Sequence, residues 1–421
     1  MKRRYVFGII CTTLLLLTSC AHKMENSYRA QVDMGLTQEV WMQQTNINPN
    51  LWTRQGDRWF FTGEPSQFNQ FGVNAPESKA FTAMMIRTSD FTNINVDGPF
   101  VVQLFGHQEH NSVFVIGPNE SARQAAVEVR GNTLYVHQPV NCVAKQMDQV
   151  IIRIGLRNLN NLMVSGCGKT EGTQLYSTGL NIKATGSSNV LLSGNINLHN
   201  VTQFSNGTIS VIGAYTPSLD IRDYGNGTVN VSGRVGIHSI AKSGAGNINI
   251  VGADSDSLVI DSSGSGTISI AGFANLKKVN ATQASRVYLY WVNSNGIYVN
   301  VHDRARVGLA GVARNVDIET DGYSRFEGKY LRSDNTYVRT RNWSHANVSP
   351  VQKLFANSLD NSSIYFFGSP NVVSRYTMDA GIVVPVWNDA SPTPAVPPAS
   401  SWSWGNSRPA FTHHSSRPLY K

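Results

Sequence analysis

Three arginines and a histidine recur at nearly constant spacing in the second half of the chain. Arg286, Arg306, Arg325 and His345 lie 20, 19 and 20 residues apart. A guanidinium group binds carboxylate or phosphate through paired hydrogen bonds, and aromatic faces add contacts of their own. The same region holds the aromatic residues Tyr288, Tyr290, Trp291, Tyr298, Tyr323, Tyr330, Tyr337 and Trp343. The four basic residues, here called the arginine column, therefore form a candidate binding strip for an anionic glycan.

Nearby carboxylates offer a second interpretation of the arginine column. Like charges stacked about 4.8 Å apart, the spacing of neighbouring strands, repel each other unless an anion lies close to them. The acidic residues available in the same region are Asp303, Glu319, Asp321 and Glu327. If they neutralise the column, it is a salt-bridged surface without a ligand. The sequence leaves both interpretations open.

Catalytic carboxylates are not evident. A glycoside-cleaving site needs two or three acidic groups converging on one face, and Asp220, Asp254, Asp256 and Asp261 fall at different positions of the repeat described below. Asp317, Glu319 and Asp321 do alternate on one strand face, where they are more simply counter-charges to the arginines Arg325, Arg339 and Arg341. We therefore predict no catalytic, cofactor-binding or metal-binding residue. A carbohydrate-active enzyme, a polysaccharide lyase or hydrolase, is the alternative.

A ten-residue segment is repeated along the chain. This repeat determines where the basic, acidic and aromatic residues described above lie relative to one another. TGSSNVLLSG, FSNGTISVIG, YGNGTVNVSG, SGAGNINIVG and SGSGTISIAG begin at Thr185, Phe204, Tyr224, Ser243 and Ser263. Aligning the residue after each small-residue pair gives eleven anchors at intervals of 18 to 20 residues: Thr170, Val190, Ile209, Val229, Ile248, Ile268, Val287, Val307, Phe326, Ala346 and Ile364. Such a period is typical of a solenoid, in which no coil buries its apolar face without a neighbour.

Equivalent positions of the repeat, here called columns, conserve size and polarity from coil to coil. Two residues before every anchor stands Gly, Ser or Ala, and eight before it stands an apolar residue. Within one copy, residues such as Thr267, Ile268, Ser269 and Ile270 alternate between polar and apolar with the period of a half-buried strand. The sequence predicts an all-β protein, a right-handed parallel β-helix of about eleven coils of 19 to 20 residues, capped N-terminally by a small β segment. Spacings of 19 and 20 disfavour hexapeptide helices, and the missing loop aspartate disfavours calcium-binding nonapeptide rolls.

The amino-acid composition and the repeat together divide the chain after residue 19 into four segments. Residues 20–77 are predicted to be a linker partly packed on the body, 78–159 an N-terminal β segment and cap, and 160–387 the solenoid. The stretch NVVSRYTMDAGIVVPVW is expected to close the solenoid, because unpaired strand edges must be covered. Residues 388–421 are rich in Pro and Ser and are predicted to be disordered.

The first residues indicate export. Lys2, Arg3 and Arg4 precede an apolar stretch, and LTSC at residues 17–20 resembles a lipobox, which predicts a signal peptide over 1–19 and acylation of Cys20. With Ala21 rather than Asp after it, the resemblance implies an outer-membrane lipoprotein, facing either the periplasm or the outside. Removing the three basic residues lowers the formal charge from +8 to +5, without a basic run that would indicate nucleic acid.

Two cysteines remain in the mature chain. Cys142 and Cys167 could form a disulfide in an oxidising compartment or stay as two buried thiols. A metal site is not indicated, since two cysteines without a nearby histidine are not a ligand set.

The order of these elements resembles a known family. VDGPFVVQLF, VEVRGNTLYV, VIIRIGLRNLNNLMVSGCGKTEG and the repeated glycine-rich coils are similar to the bacterial GIN domain, described as an auto-transporter adhesin head, over about residues 80–380. The resemblance implies a right-handed β-helix in an exported, often lipid-anchored protein, and it carries over no catalytic residue. The chain has more coils than the usual domain. We expect a non-catalytic structural, adhesin-like or glycan-binding protein whose partners are the membrane, through its anchor, an anionic glycan or lipopolysaccharide, and envelope proteins.

Overall fold

A computed structural model describes residues 52–55, 58–62, 81–86, 88–138 and 150–386. The signal peptide, Cys20, Cys142 and the tail 388–421 lie outside the described residues. The chain divides into two compact units, residues 1–159 with 166–176 and residues 160–165 with 177–421. The described residues are almost all strand, which confirms the predicted all-β class.

The first unit is a mostly antiparallel sheet. Strands β1, β2, β3, β6 and β9 pair in that order, β5 runs parallel to β9, and β7 and β8 form a hairpin beside β4. The elements are β1 (Trp52–Gln55), β2 (Arg58–Phe61), β3 (Phe81–Ile86), β4 (Asn93–Asp97), β5 (Val101–Phe105), β6 (Ser112–Pro118), α1 (Asn119–Gln124), β7 (Ala126–Arg130), β8 (Thr133–His137) and β9 (Ile151–Gly155). The hairpin β1–β2 lies within the segment predicted as a linker. Among the described residues no helix is long and apolar enough to cross a membrane.

The second unit is a parallel β-solenoid. Strand β10 pairs in parallel with the end of β11, successive strands from β12 to β21 pair in parallel, and the stack makes about 12 turns, which confirms the predicted fold class. The strands are β10 (Asn161–Ser165), β11 (Lys169–Ala184), β12 (Asn189–Gln203), β13 (Thr208–Asp223), β14 (Thr228–Lys242), β15 (Asn247–Ser262), β16 (Thr267–Ala281), β17 (Arg286–Val301), β18 (Arg306–Thr320), β19 (Arg325–Thr340), β20 (His345–Ser358), β21 (Ser363–Phe367), β22 (Val372–Thr377) and β23 (Ile382–Val386).

The anchors form the core of this stack. Ile248, Ile268, Val287 and Val307 are direct register partners on β15 to β18, and all eleven anchors are at most 1% exposed. Within a coil such as β16, the anchor is followed by alternating outward and buried residues. Because each inward residue packs against its equivalents above and below, apolar burial stabilises every coil only in the presence of its neighbours.

The corners of the solenoid impose two different constraints on their residues. A left-handed backbone occurs in one column, at Gly264, Gln283, Asp303, Gly322 and Asn342, with φ values from 59° to 84°. The corner glycines Gly246 and Gly266 lie two residues further on in the repeat, outside the left-handed region. They are needed for space instead, because a Cβ on Gly266 would overlap the carbonyl oxygen of Gly246 and lie 2.7 Å from Lys242 Nζ.

Buried polar side chains explain why the corner residue changes from glycine to serine. Gln203, Asp223 and Lys242 face inward in one column, and a Cβ on Gly227, Gly246 or Gly266 respectively would meet their side-chain atoms. Where the inward residue is Ser262, Val301 or Thr320, the corner residue 23 or 24 positions further on is serine, and Thr320 Oγ1 donates to Ser344 Oγ over 2.9 Å. The volumes of the inward and corner residues are therefore complementary in these coils, whereas the short Ala184 is followed by Gly207 and departs from the pattern. Sequence analysis did not identify this polar column.

The C-terminal segment continues the solenoid. We predicted that it would close the stack, but β22 pairs in parallel with β20, and β23 pairs in parallel with β21. All six residues of β22 are exposed. The prediction of a closing cap is therefore wrong for the described part of this segment, because the same strand period that builds the other coils builds one more.

Candidate ligand-binding strip

The arginine column lies on the outer surface of β17 to β20. Arg286 is the register partner of Arg306, Arg306 of Arg325, and Arg325 of His345. Each of these residues directly precedes a fully buried anchor, so strand alternation directs its side chain outward. The structure therefore brings the four residues into one line along the coils, as the sequence indicated.

Among the described residues, Arg325 is the one arginine of the column that has a carboxylate partner. Arg325 Nε lies 3.4 Å from Glu327 Oε1. Within the described residues, neither the Arg286 nor the Arg306 side chain makes an ion pair or a hydrogen bond. Two guanidinium groups about 4.8 Å apart repel by roughly 1 kcal/mol in water, so this pair is a local concentration of uncompensated positive charge.

The remaining carboxylates of the counter-charge interpretation bind other groups. Glu319 accepts a 3.0 Å hydrogen bond from Arg341 and lies 4.0 Å from Arg339. Asp303 accepts from the backbone N–H of Gln283 over 2.8 Å. Burial opposes ionisation of Asp321, but hydrogen bonds from Asn342 and Gly322 and the charges of Arg341 and His302 lower its pKa. The counter-charge interpretation therefore holds for Arg325 and not for Arg286 or Arg306.

His345 differs from the arginines in charge. Burial, reinforced by the charge of Arg325, lowers the pKa of His345 below its ordinary value, although Glu327 and Asn347 act in the opposite direction. Its Nδ1 lies 2.8 Å from Ser363 Oγ and its Nε2 lies 3.1 Å from Asn347 Oδ1. Because Asn347 donates its amide hydrogen to Glu327, the histidine belongs to a hydrogen-bonded network that ends at the Glu327 carboxylate. We therefore leave His345 out of the cationic part of the column.

An exposed aromatic pair lies in the column next to the arginines. The rings of Tyr323 and Trp343 are stacked, with centroids 6.4 Å apart and planes 9° apart, and the two residues are 66% and 60% exposed. Arg304 precedes them in the same column, as equivalent backbone hydrogen bonds at Arg304, Tyr323 and Trp343 show. One buried small residue per coil separates this column from the arginine column.

Arg304 was missed by the sequence analysis. Its side chain is exposed and makes no ion pair within the described residues. The same alignment that located Arg306 could have located it two residues earlier, directly before Tyr323 in its column. Arg286, Arg304, Arg306, Tyr323 and Trp343 together are called the basic strip below.

The other aromatic residues of the region occupy several columns, and that of Tyr288 lies beside the arginine column on the same strand face. Tyr337 stacks on Phe355 with centroids 5.0 Å apart, in a column beside Arg339 on another side of the coil. The ring of Tyr288 lies over Gly308 of the next coil, where a Cβ would meet it at 2.7 Å. The aromatic residues that the sequence grouped together therefore divide among separate faces.

The cysteine and metal predictions have different outcomes. Cys167 is disulfide-bonded, but Cys142 lies outside the described residues, so their pairing stays a prediction. Among the described residues no group of three or more His, Cys, Asp or Glu side chains is arranged to hold a metal ion.

Comparison with known proteins identifies the family. The family model described as putative auto-transporter adhesin, head GIN domain, matches residues 90–277 and again residues 272–370. The chain belongs to this family. The basic strip of this GIN-domain protein lies entirely within the second match, and the double match agrees with a coil number larger than that of one domain. Family membership indicates an adhesin-like extracellular or envelope protein. No curated protein matches the chain.

Solved structures from two species, Parabacteroides distasonis and Bacteroides fragilis, are among those that match the chain. A putative lipid binding protein from Parabacteroides distasonis is 13% identical to the GIN-domain chain, covering 74% of this chain and 98% of its own, with a TM-score of 0.24. A putative adhesin from Bacteroides fragilis is 14% identical, with coverages of 73% and 98% and a TM-score of 0.21. Another putative adhesin from Parabacteroides distasonis is 16% identical, with coverages of 73% and 98% and a TM-score of 0.22. These similarities are too low to carry an argument.

Proposed function

We propose that this GIN-domain protein is a lipid-anchored cell-envelope protein whose solenoid binds an anionic glycan without cleaving it. The observation that carries the proposal is the register pairing of Arg286 with Arg306, two exposed guanidinium groups without a carboxylate partner among the described residues. Folding places these two positive charges side by side, and their repulsion costs free energy. An anionic ligand bound between them would attract both guanidinium groups and so stabilise the complex.

The arrangement favours a polymer over a small anion. Arg286 and Arg306 are register partners on neighbouring coils, so their charges lie at the coil spacing of about 4.8 Å, and Arg304 adds a third charge in the adjacent column. Tyr323 and Trp343 continue the Arg304 column with exposed ring surface. A linear polysaccharide with regularly spaced acidic groups presents both anions for the guanidinium groups and apolar sugar faces for the rings.

The anchor belongs to the same proposal. Acylation of Cys20 would tether the protein to the outer membrane, and the family agrees with an envelope location. Uronic-acid polysaccharide and lipopolysaccharide offer the same recognition chemistry, an acidic group on a sugar. The test therefore includes one probe of each source.

The test compares two double variants that remove equal charge. Arg286→Thr with Arg306→Thr uses the residue of Thr267 in the preceding coil, while Arg339→Asn with Arg341→Thr removes two arginines paired with Glu319. Binding to polygalacturonate and to lipopolysaccharide is titrated calorimetrically at two salt concentrations, with dextran as the neutral control. Products are analysed after prolonged incubation.

We expect the Arg286/Arg306 variant to lose at least tenfold in affinity for one of the two anionic probes and to melt at the same or a higher temperature. The Arg339/Arg341 variant should keep its affinity and melt at a lower temperature. Equal binding by wild type and the Arg286/Arg306 variant, together with a lowered melting temperature, would contradict the glycan-binding proposal. Release of cleaved products would replace the non-catalytic function by the lyase or hydrolase alternative.

A further inference from the structure

A groove lies on the second unit, away from the basic strip. It has a volume of about 310 Å³ and is lined by residues of the coils from β13 to β16, among them Tyr224, Ser243, Asp261, Ser263 and Asn280. Its origin is a change of side-chain size within one corner column. That column contains Phe204 and Tyr224, then Ser243 and Ser263, and the equivalent backbone hydrogen bonds of these four residues fix their alignment.

One face of the Tyr224 ring is uncovered in this groove. Phe204 stacks on Tyr224 with centroids 5.1 Å apart and planes 22° apart, a separation close to the coil spacing of about 4.8 Å. The two rings are therefore stacked along the direction in which the coils stack. The next two coils place Ser243 and Ser263 where a third ring would lie, and Tyr224 remains 45% exposed. The groove thus has a flat aromatic floor with a polar wall above it.

A fixed carboxylate forms part of that wall. Asn280 donates its side-chain amide to Asp261 Oδ1, and Asn300 donates to Asn280 Oδ1 over 3.1 Å. This ladder of side chains holds the Asp261 carboxylate in one orientation through one of its oxygens. The other oxygen, Oδ2, makes no hydrogen bond or ion pair with a described residue, and the Ser243 hydroxyl makes none either. An oriented acceptor and a hydroxyl group therefore face the space above an aromatic ring.

From this combination we infer that the groove is a binding subsite for a neutral hexopyranose unit of a glycan. The apolar face of the sugar ring would lie on Tyr224, one or two hydroxyl groups would donate to Asp261 Oδ2, and the Ser243 hydroxyl would complete the contacts. Asp261 disfavours a sugar that carries its own carboxylate or sulfate, because like charges repel. The subsite is independent of the proposed binding of anionic glycan, since it uses other residues and other coils.

A quaternary ammonium group is the competing ligand for an aromatic face beside a carboxylate. Such cations are recognised by cages of several aromatic rings. The groove offers one ring face, and its other polar lining groups are hydroxyl, amide and carboxylate groups together with Lys242, whose ammonium group donates to the Gly244 carbonyl oxygen and disfavours a second cation. This donor and acceptor set matches the hydroxyl groups of a sugar, so we commit to the sugar.

Three variants test the subsite. Tyr224→Ser introduces the residue that its own column uses in the next coil, and Asp261→Asn uses the residue of Asn280, so both fit the strand period. Tyr215→Ser is the matched control, because Tyr215 is an exposed tyrosine of β13, the strand that ends directly before Tyr224, and does not line the groove. Binding of methyl glucoside, methyl galactoside, methyl mannoside and choline to the full chain is measured by saturation-transfer NMR and calorimetry. Thermal melts check the fold of each variant.

We expect at least one neutral glycoside to bind with millimolar affinity and both groove variants to weaken it at least tenfold. Tyr215→Ser and the Arg286/Arg306 double variant should bind it as the wild type does, which separates this subsite from the basic strip. The inference is overturned if no neutral glycoside binds, if choline binds more tightly than every glycoside, or if folded Tyr224→Ser retains full affinity. If Tyr224→Ser melts at a lower temperature than the wild type, the binding measured for Asp261→Asn decides the test. Unchanged glycoside binding by Asp261→Asn would then refute the subsite.

Discussion

The packing of the solenoid corner can be tested by a double-mutant cycle between Lys242 and Gly266. A Cβ added to Gly266 would overlap the Gly246 carbonyl oxygen, and it would lie 2.7 Å from Lys242 Nζ and 2.8 Å from the Ala245 carbonyl oxygen. Gly266→Ser should therefore lower the free energy of unfolding by roughly 2 kcal/mol, within the range for an overpacked interior. Lys242→Thr should cost a similar amount, about 2 kcal/mol, because it leaves unfilled volume.

The two changes together recreate a pair that the protein already contains. Thr320 and Ser344 are also an inward residue and a corner residue 24 positions apart, joined by a 2.9 Å hydrogen bond. The double variant removes the overlap with Nζ and gains a hydrogen bond worth about 1 kcal/mol. We therefore expect the double variant to be at least about 1 kcal/mol more stable than the sum of the single effects. Loss of the Lys242 charge near Asp223 occurs on both sides of the cycle and cancels.

The measurement is urea denaturation followed by circular dichroism, with equal m-values required for the four proteins of the cycle. Ser269→Val is the control for a side chain that points outward on the same strand, and it should change the free energy by no more than about 0.5 kcal/mol. Additive single effects, within about 0.5 kcal/mol, would refute the complementarity between the inward and corner residues. A Gly266→Ser cost no larger than that of Ser269→Val would refute the steric argument itself.

Two further predictions concern the buried carboxylate and the anchor. Burial raises the pKa of Asp223 to about 6, so the folded state favours the protonated form, and the stability contributed by protonation is lost as the pH rises from about 4 to 6. Wild type should therefore lose up to about 3 kcal/mol relative to Asp223→Asn over this range, and parallel pH profiles in urea melts would contradict the assignment. Cys20→Ala should abolish incorporation of radiolabelled fatty acid and leave an unprocessed or soluble precursor, whereas Cys167→Ala should not. Labelling that survives the change at Cys20 would exclude the lipid anchor.

The repeat let the sequence predict more of this fold than is usual. In a solenoid, residues one period apart become register partners, so the alignment of Arg286 with Arg306 and of Ile268 with Val287 is also a statement of spatial adjacency. The burial of every anchor followed from strand alternation for the same reason. The outward line of the candidate strip was therefore predictable.

The ion-pair and hydrogen-bond partners of individual side chains could not be predicted from the sequence. Arg325 binds Glu327 of its own strand, whereas Asp303 turns to the backbone of Gln283 from a left-handed corner residue with φ of 62°. Such pairings depend on side-chain rotamers and local φ, which one period of sequence does not encode. The free positive charge of Arg286 and Arg306 became visible only when these partners were assigned.

The sequence by itself determined the coil period, the strand class and which residues face the core, because each of these depends on distances along the chain. Tertiary structure alone decided that Tyr224 keeps one face uncovered above Phe204 and that Lys242 fills the space beside Gly266. Tertiary structure also decided that β22 adds a further strand to the stack, with all six of its residues exposed. These features depend on what the coils above and below place against a residue, and that contact is made in space between coils, where volume and hydrogen-bond geometry decide the outcome.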